Sequence, residues 1–452
     1  MTKLRRFALS ATLCLPLALL GCGGSSGSST AVNVWNFVGG GTTANALGSY
    51  GTAGAAGGQP GARTLAATWA DGSGNLWMFG GNGYAASGTS GELADLWRYD
   101  TASGQWTWVS GASSTGAAGS YAAGGAPGAR DAAQTWTDGS GNFWLYGGHG
   151  VDGSGTTGML GDLWQYSSTG GWTFVSGSQT ANNATSGTSA PGAREAAATW
   201  VDSSGNLWLF GGNGYDASGA LGALGDLWEY HASTHAWSLV DGSTARSAAG
   251  NWGTLGQAAA GVVPSARYGA AAWVDASGRF WLFGGYGLDS AGTFGELADL
   301  WMFDPTTSMW TWMAGASTAQ AVGNYGSVGL PQSTNAPGAR AFATTWSDAS
   351  GNLWMFGGFG LDAYGVAAPL NDLWEYSVST ATWIWVSGSS SANAYGTYSG
   401  TSVAPGARYG ASGWRDSSGR QWFFGGSALG ALPSTGPIQP TSVFNDLWNR
   451  TP

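Results

Sequence analysis

The string Pro-Gly-Ala-Arg begins at residues 60, 127, 191, 337 and 405, and Pro-Ser-Ala-Arg begins at 264, so Arg63, Arg130, Arg194, Arg267, Arg340 and Arg408 follow one another at intervals of 67, 64, 73, 73 and 68 residues. Spacings of this size in one chain mean internal repeats rather than unlike domains in series. Within each repeat the order is constant: Arg, a run of small residues ending in Trp, a turn such as Asp71–Asn75, an aromatic run ending in Gly-Gly, then Asp-Leu-Trp and a second aromatic run. Arg to the Asp of Asp-Leu-Trp is 32 residues in five repeats and 38 in the last (Arg408 to Asp446). The extra length therefore belongs to a connection and not to the repeated frame.

Each repeat reads as four antiparallel strands, in the first Thr64–Ala70, Leu76–Phe79, Leu96–Tyr99 and Trp106–Val109. Leu76-Trp77-Met78-Phe79 is apolar on both faces, whereas a sheet wetted on one side would alternate. Each sheet is then expected to lie between two copies of itself. First strands carry small residues (Ala66, Ala67; Ala132, Ala133; Ala196, Ala197), while last strands carry pairs such as Trp310 and Trp312. Small side chains inside and Trp outside is the taper of wedges around an axis, so the expected fold is all-β, a six-bladed β-propeller with four antiparallel strands per blade.

Closure can be read independently. After Asp446 the sequence holds only six more residues, too few for a fourth strand. Val34-Trp35-Asn36-Phe37-Val38-Gly39-Gly40 matches Gln105-Trp106-Thr107-Trp108-Val109-Ser110-Gly111, so the strand at 33–39 is expected to complete the last blade and remove an open sheet edge. The blades are placed at about 60–111, 127–177, 191–241, 264–315, 337–388 and 405–452 of a propeller spanning 33–452. Composition agrees. With 81 Gly, 28 Trp and 9% charged residues, the chain is poor in helix formers and too apolar to stay a solvated coil.

Phe-Gly-Gly after the second strand, Asp-Leu-Trp-x-Tyr on the third and Trp-x-Trp ahead of Pro-x-x-Arg resemble the kelch repeat, with Gly-Gly beginning at Gly80, Gly147, Gly211, Gly284, Gly357 and Gly425. The resemblance covers residues 33–450 and implies a propeller like that of galactose oxidase. It does not carry that enzyme's chemistry across. The copper site of that family needs two His, two Tyr and a Cys crosslinked to Tyr, and no Cys follows residue 22 here.

At the other end of the chain Lys3, Arg5 and Arg6 precede an apolar run, Phe7–Leu20, too short to span a bilayer. Leu19-Leu20-Gly21-Cys22 then resembles the bacterial lipoprotein signal, which implies removal of residues 1–21, lipidation of Cys22, and a Gly/Ser tether over 22–32. Cys14 would leave with the signal, so no disulfide is expected. Gly23 after the Cys is similar to outer-membrane sorting signals, placing the protein in the cell envelope with the membrane as a partner through its lipid. Removing Lys3, Arg5 and Arg6 from 15 basic residues leaves 12 against 25 acids, a net charge near −13 that disfavours nucleic acid. A monomer is expected.

Strand direction puts the short hairpin turns at one end and the long second-to-third and interblade segments at the other. Segments that long are usually functional or disordered. They are rich in Gly, Ser, Thr and Asn with isolated aromatics, Tyr50, Tyr84, Tyr121, Tyr215, Trp252, Tyr286, Tyr325 and Tyr395, a composition like that of antibody loops, and these are the candidate ligand-binding residues. Simple stacking of the segments on one another is the alternative. The six Arg could ring the channel mouth and hold an anion, or each could pair across Gly-Gly with Asp95, Asp162, Asp226, Asp299, Asp372 or Asp446. Asp152, Asp216, Asp289 and Asp362, in Gly-Gly-x-Gly-x-Asp, lack the tandem copies of the calcium nonapeptide and read as loop formers, and Asp71, Asp138, Asp202, Asp275, Asp348 and Asp416 as turn formers. His231 and His235 share no helical face, His149 stands alone, and no metal or cofactor is expected. No Ser-His-Asp set is present and no acidic residue is read as breaking the repeat to mark a catalytic base. The expected function is a non-catalytic binding scaffold for a protein or glycan, with a sugar oxidase or glycosidase, or a passive surface protein, as alternatives.

Overall fold

The computed structural model describes residues 35–183, 189–400, 402–428 and 442–451. Lipidation at Cys22, the signal and the tether lie outside them. The described chain is all-β, with no helix among the described residues, and folds into multiple antiparallel sheets.

One sheet pattern recurs along the chain. In the first repeat Ala67–Ala70, Leu76–Phe79, Leu96–Asp100 and Gln105–Ser110 pair in sequence order, with Ala56–Gly58 added outside the last. Ala198–Val201, Leu207–Phe210, Gly225–His231 and Ala236–Ser243 repeat that order, as do Ala271–Val274, Phe280–Phe283, Leu300–Asp304 and Met309–Ala314. In the last repeat Ser412–Arg415, Gln421–Phe424 and Leu447–Arg450 lack a fourth strand of their own, and Trp35–Gly39 supplies it, with Trp35 opposite Arg450 and Phe37 opposite Trp448.

Both faces of the second and third strands are buried, because each sheet packs on its neighbours through rings that the taper predicts. Trp69 stacks on Phe143 of the next repeat at 5.3 Å, and Trp200 on Phe280 at 5.4 Å. In five of the repeats the indole N–H of the first-strand Trp also crosses the junction. Trp69 donates to the Trp144 carbonyl, Trp136 to Trp208, Trp200 to Trp281, Trp273 to Trp354, and Trp414 back to Trp77, at 2.8–3.2 Å. The motifs explain themselves in the same terms. Asp71 accepts from the Ser73 and Asn75 amides and from Trp77 Nε1, which closes the short hairpin, and Asp95 accepts from Trp97 Nε1 two residues on.

Two departures from the sequence reading matter for the site. First, the inner strand is broken: Arg63–Thr64 pairs with Asn82–Tyr84, and Ala67–Ala70 with Leu76–Phe79. The break falls at Leu65, Ala132, Ala196, Gly269, Phe342 and Gly410, all with φ between 48° and 65°. Only Gly takes that conformation cheaply, yet four of the six are not Gly. What holds them is a circuit of amide bonds at 2.8–2.9 Å: Ala132 donates to Leu65, Ala196 to Ala132, Gly269 to Ala196, Phe342 to Gly269, Gly410 to Phe342 and Leu65 to Gly410. Second, the long segment between second and third strands is no loose loop. It is a hairpin continuing both strands beyond Gly-Gly, as in Phe143–Val151 paired with Thr157–Ser167.

Candidate functional site

Each Arg is buried and fully committed. Arg63 Nη1 and Nη2 meet Asp95 Oδ1 and Oδ2 at 2.6 and 2.8 Å, Nη1 also donates to the Gly80 carbonyl and Nε to that of Gly61. Arg130–Asp162, Arg194–Asp226, Arg267–Asp299, Arg340–Asp372 and Arg408–Asp446 repeat this at 2.6–2.8 Å. Of the two readings open for the Arg, the structure has the paired one. With each guanidinium held by its own Asp, the six do not form a free anion-binding ring.

The same pairs draw in three of the expected ligand-binding aromatics. Tyr50, Tyr121 and Tyr325 donate their hydroxyls to Asp95, Asp162 and Asp372 at 2.7–2.8 Å, so these rings are pulled inward and are corrected here to structural residues. Burial first, and then the adjacent carboxylate, push all three phenols well above their ordinary range. Trp252 is buried against Trp301 at 5.7 Å and joins them. In the last repeat the residue with this role is Tyr398, bonded to Asp446 at 2.8 Å, and not Tyr395. The signal for it is Gly-x-aromatic, at Gly48–Tyr50, Gly119–Tyr121, Gly250–Trp252, Gly323–Tyr325 and Gly396–Tyr398. Tyr84, Tyr215, Tyr286 and Tyr395 remain half-buried at the long-segment end.

Above this uniform layer the repeats stop being alike. The residue after each Arg is Thr64, Asp131, Glu195, Tyr268, Ala341 or Tyr409, and opposite these in register stand Asn82, His149, Asn213, Tyr286, Phe359 and Ser427. Because the next residue belongs to the closed amide circuit, these positions form a rim around that circuit on the long-segment side. A funnel of about 190 Å³ opens among Leu65, Ala132, Ala196, Gly269, Phe342 and Gly410.

One side of the rim is acidic. His149 Nδ1 lies 3.3 Å from Glu92 Oε1, and Asn213 donates to Glu195 at 3.0 Å. Asp131 is 9% exposed, and burial, followed by the Glu195 carboxylate, pushes its pKa up to about 7 against the opposing pull of His149. His149, expected to stand alone, thus has a partner, and Asp131 and Glu195 are the acids that break the repeat. The other side is aromatic. Tyr286 and Phe294 rings lie 4.9 Å apart, Tyr268 and Tyr286 5.6 Å, Tyr268 and Phe342 6.3 Å, and Phe359 and Tyr409 5.7 Å. Burial, then Tyr286, Glu195 and Glu296, raise the Tyr268 phenol, which places it where the two sides meet.

The other candidate residues have structural duties. Asp152 accepts from the Ser154, Thr156 and Ala181 amides, and Asp216, Asp289 and Asp362 are used in the same way within their hairpins. His231 bonds Ser238 at the short-turn end. A cavity at that end, of about 450 Å³, is lined by Thr68, Thr135, Thr199, Thr345 and the six first-strand Trp residues, and it carries one charged side chain, Arg415. No protein-family model matches the chain, and no curated protein matches it.

Proposed function

We propose that this chain is a six-bladed β-propeller of the kelch type, tethered to an envelope membrane through a lipid on Cys22, that binds a glycan at the rim of its axis without catalysing a reaction. The propeller reading is supported by the amide circuit that returns from Gly410 to Leu65, and by Trp35–Gly39 completing the last sheet. The tether reading rests on the resemblance of residues 1–22 to lipoprotein signals.

The observation that carries the binding reading is the partly exposed set Tyr268, Tyr286 and Phe294, with rings 4.9–6.5 Å apart and Glu296 opposite Tyr286 in register. Sugar C–H faces pack on aromatic rings, and sugar hydroxyls bond carboxylate and amide groups; a ligand site of this kind pairs apolar walls with a few placed polar atoms. A glycan array tests it. Wild-type protein should bind a defined subset of glycans, and Tyr268→Ala with Tyr286→Ala should weaken that binding at least tenfold. Unchanged binding in the double variant would move the site elsewhere, and turnover of a bound glycan would replace the binder with an enzyme.

A further inference from the structure

We infer that the glycan accepted at this rim carries a protonated amine, an inference that rests on the glycan reading above and narrows it. Glu195, His149 and Glu92 act on Asp131, and Glu195 and Glu296 on Tyr268; Arg246 is the basic side chain beside them, lying over Gly222 in the hairpin that carries Asn213. All six repeat Arg are neutralised by their own Asp one layer below. A neutral or anionic sugar would therefore meet Glu195, Glu92 and Glu296, with His149 and Arg246 as the basic groups beside them. The field at the acidic side of the rim selects a cation instead, and partial desolvation strengthens it.

The aromatic side favours the same group. An ammonium is attracted to the faces of Tyr and Phe rings, by about 0.5–2 kcal/mol depending on desolvation. Tyr268 is the ring whose surroundings include both a second ring and two carboxylates, Glu195 from the neighbouring repeat and Glu296 from its own hairpin. An amino sugar can lay its ring on Tyr286 or Phe294 and direct its amine toward Glu195. Asp131 adds a proton link. Buried among Glu195, Glu92, His149 and Asn82, it keeps its proton until a cation replaces that positive charge, so binding a cation releases a proton near neutral pH.

Titration calorimetry with glucosamine tetramers in N-acetylated and N,N,N-trimethylated forms tests this, because the second carries a charge that does not titrate. The trimethylated tetramer should bind at least tenfold more tightly, and more tightly at pH 8 than at pH 6. Glu195→Gln should collapse that preference, as should 1 M salt, and circular dichroism with thermal melting would report that the variant is folded. Equal binding of both forms, lost in Tyr268→Ala with Tyr286→Ala, would overturn the amine inference and leave the glycan reading standing. Tighter binding of the acetylated form at pH 6 would make Asp131 a neutral donor to a sugar and would also overturn it. Binding of neither form would remove both.

Discussion

A guanidinium and a carboxylate can share a dry interior only when each remaining N–H and lone pair finds a partner, since an unanswered buried charge costs several kcal/mol. The Pro-Gly-Ala-Arg repeat supplies those partners: the Gly carbonyl two residues before Arg63 takes Nε, the Gly80 carbonyl takes Nη1, and Trp97 and Tyr50 fill Asp95 Oδ2. Arg340→Lys keeps the charge and loses the planar fork, so it should destabilise by roughly 3 kcal/mol in denaturant unfolding. Tyr325→Phe removes one charge-assisted bond and should cost about 1.5–3 kcal/mol. Asp131 behaves oppositely to most acids. The folded protein holds its proton to about pH 7, whereas the unfolded chain releases it near pH 4, so folding stability falls as pH rises between these values and levels off above. Asp131→Asn should flatten that slope, by up to ~1.4 kcal/mol per pH unit, in unfolding midpoints measured from pH 4.5 to 8.

Among the elements, the Gly-Gly after each second strand shows which glycines the fold requires. Gly211 has φ of 70°, and a Cβ there would sit 2.5 Å from the Arg267 carbonyl of the next repeat. Gly205, in a short turn, has φ of 81° and open space around it. Both substitutions to Ala pay for a left-handed backbone, ~1–2 kcal/mol, but Gly211→Ala must also push two sheets apart. Thermal melts should rank Gly211→Ala well below Gly205→Ala. The strands themselves were legible: aromatic runs, Asp turns and Gly-Gly marked the second, third and fourth closely. The break at Leu65 was not, because Thr64-Leu65-Ala66-Ala67 contains no residue that favours positive φ. Its cause is the amide of the neighbouring repeat, which no local pattern reports. Whereas the interblade segments are largely loops as read, the segments between second and third strands were misread as loops for a related reason. Gly and Ser dominate them, yet partners across the hairpin hold them as strands.

At the scale of the whole molecule, the first described strand closes the last sheet. Trp35 lies 5.1 Å from Phe356 and 5.2 Å from Phe423, so it bridges two repeats as well as one sheet. Trp35→Ala should lower stability by about 3–5 kcal/mol. It should also turn one cooperative unfolding transition into two, with limited proteolysis cutting first near Leu447–Arg450. A single transition with an unchanged midpoint would mean that the fold does not depend on joining its ends.

The repeat frame, the four-strand order and the choice between an Arg ring and Arg–Asp pairs were open to the sequence, because they depend on spacing and on residue types that recur. The choice itself was settled only by burial: with the guanidinium cut off from water, Asp is its one adequate partner. Which aromatics face outward was likewise decided in three dimensions. Tyr50 and Tyr286 sit in similar Gly-rich surroundings along the chain, and only the position of a carboxylate beneath one of them pulls it inside. The acidic and aromatic sides of the rim were written in the residues after each Arg. They come side by side only because the amide circuit from Leu65 to Gly410 joins six distant segments.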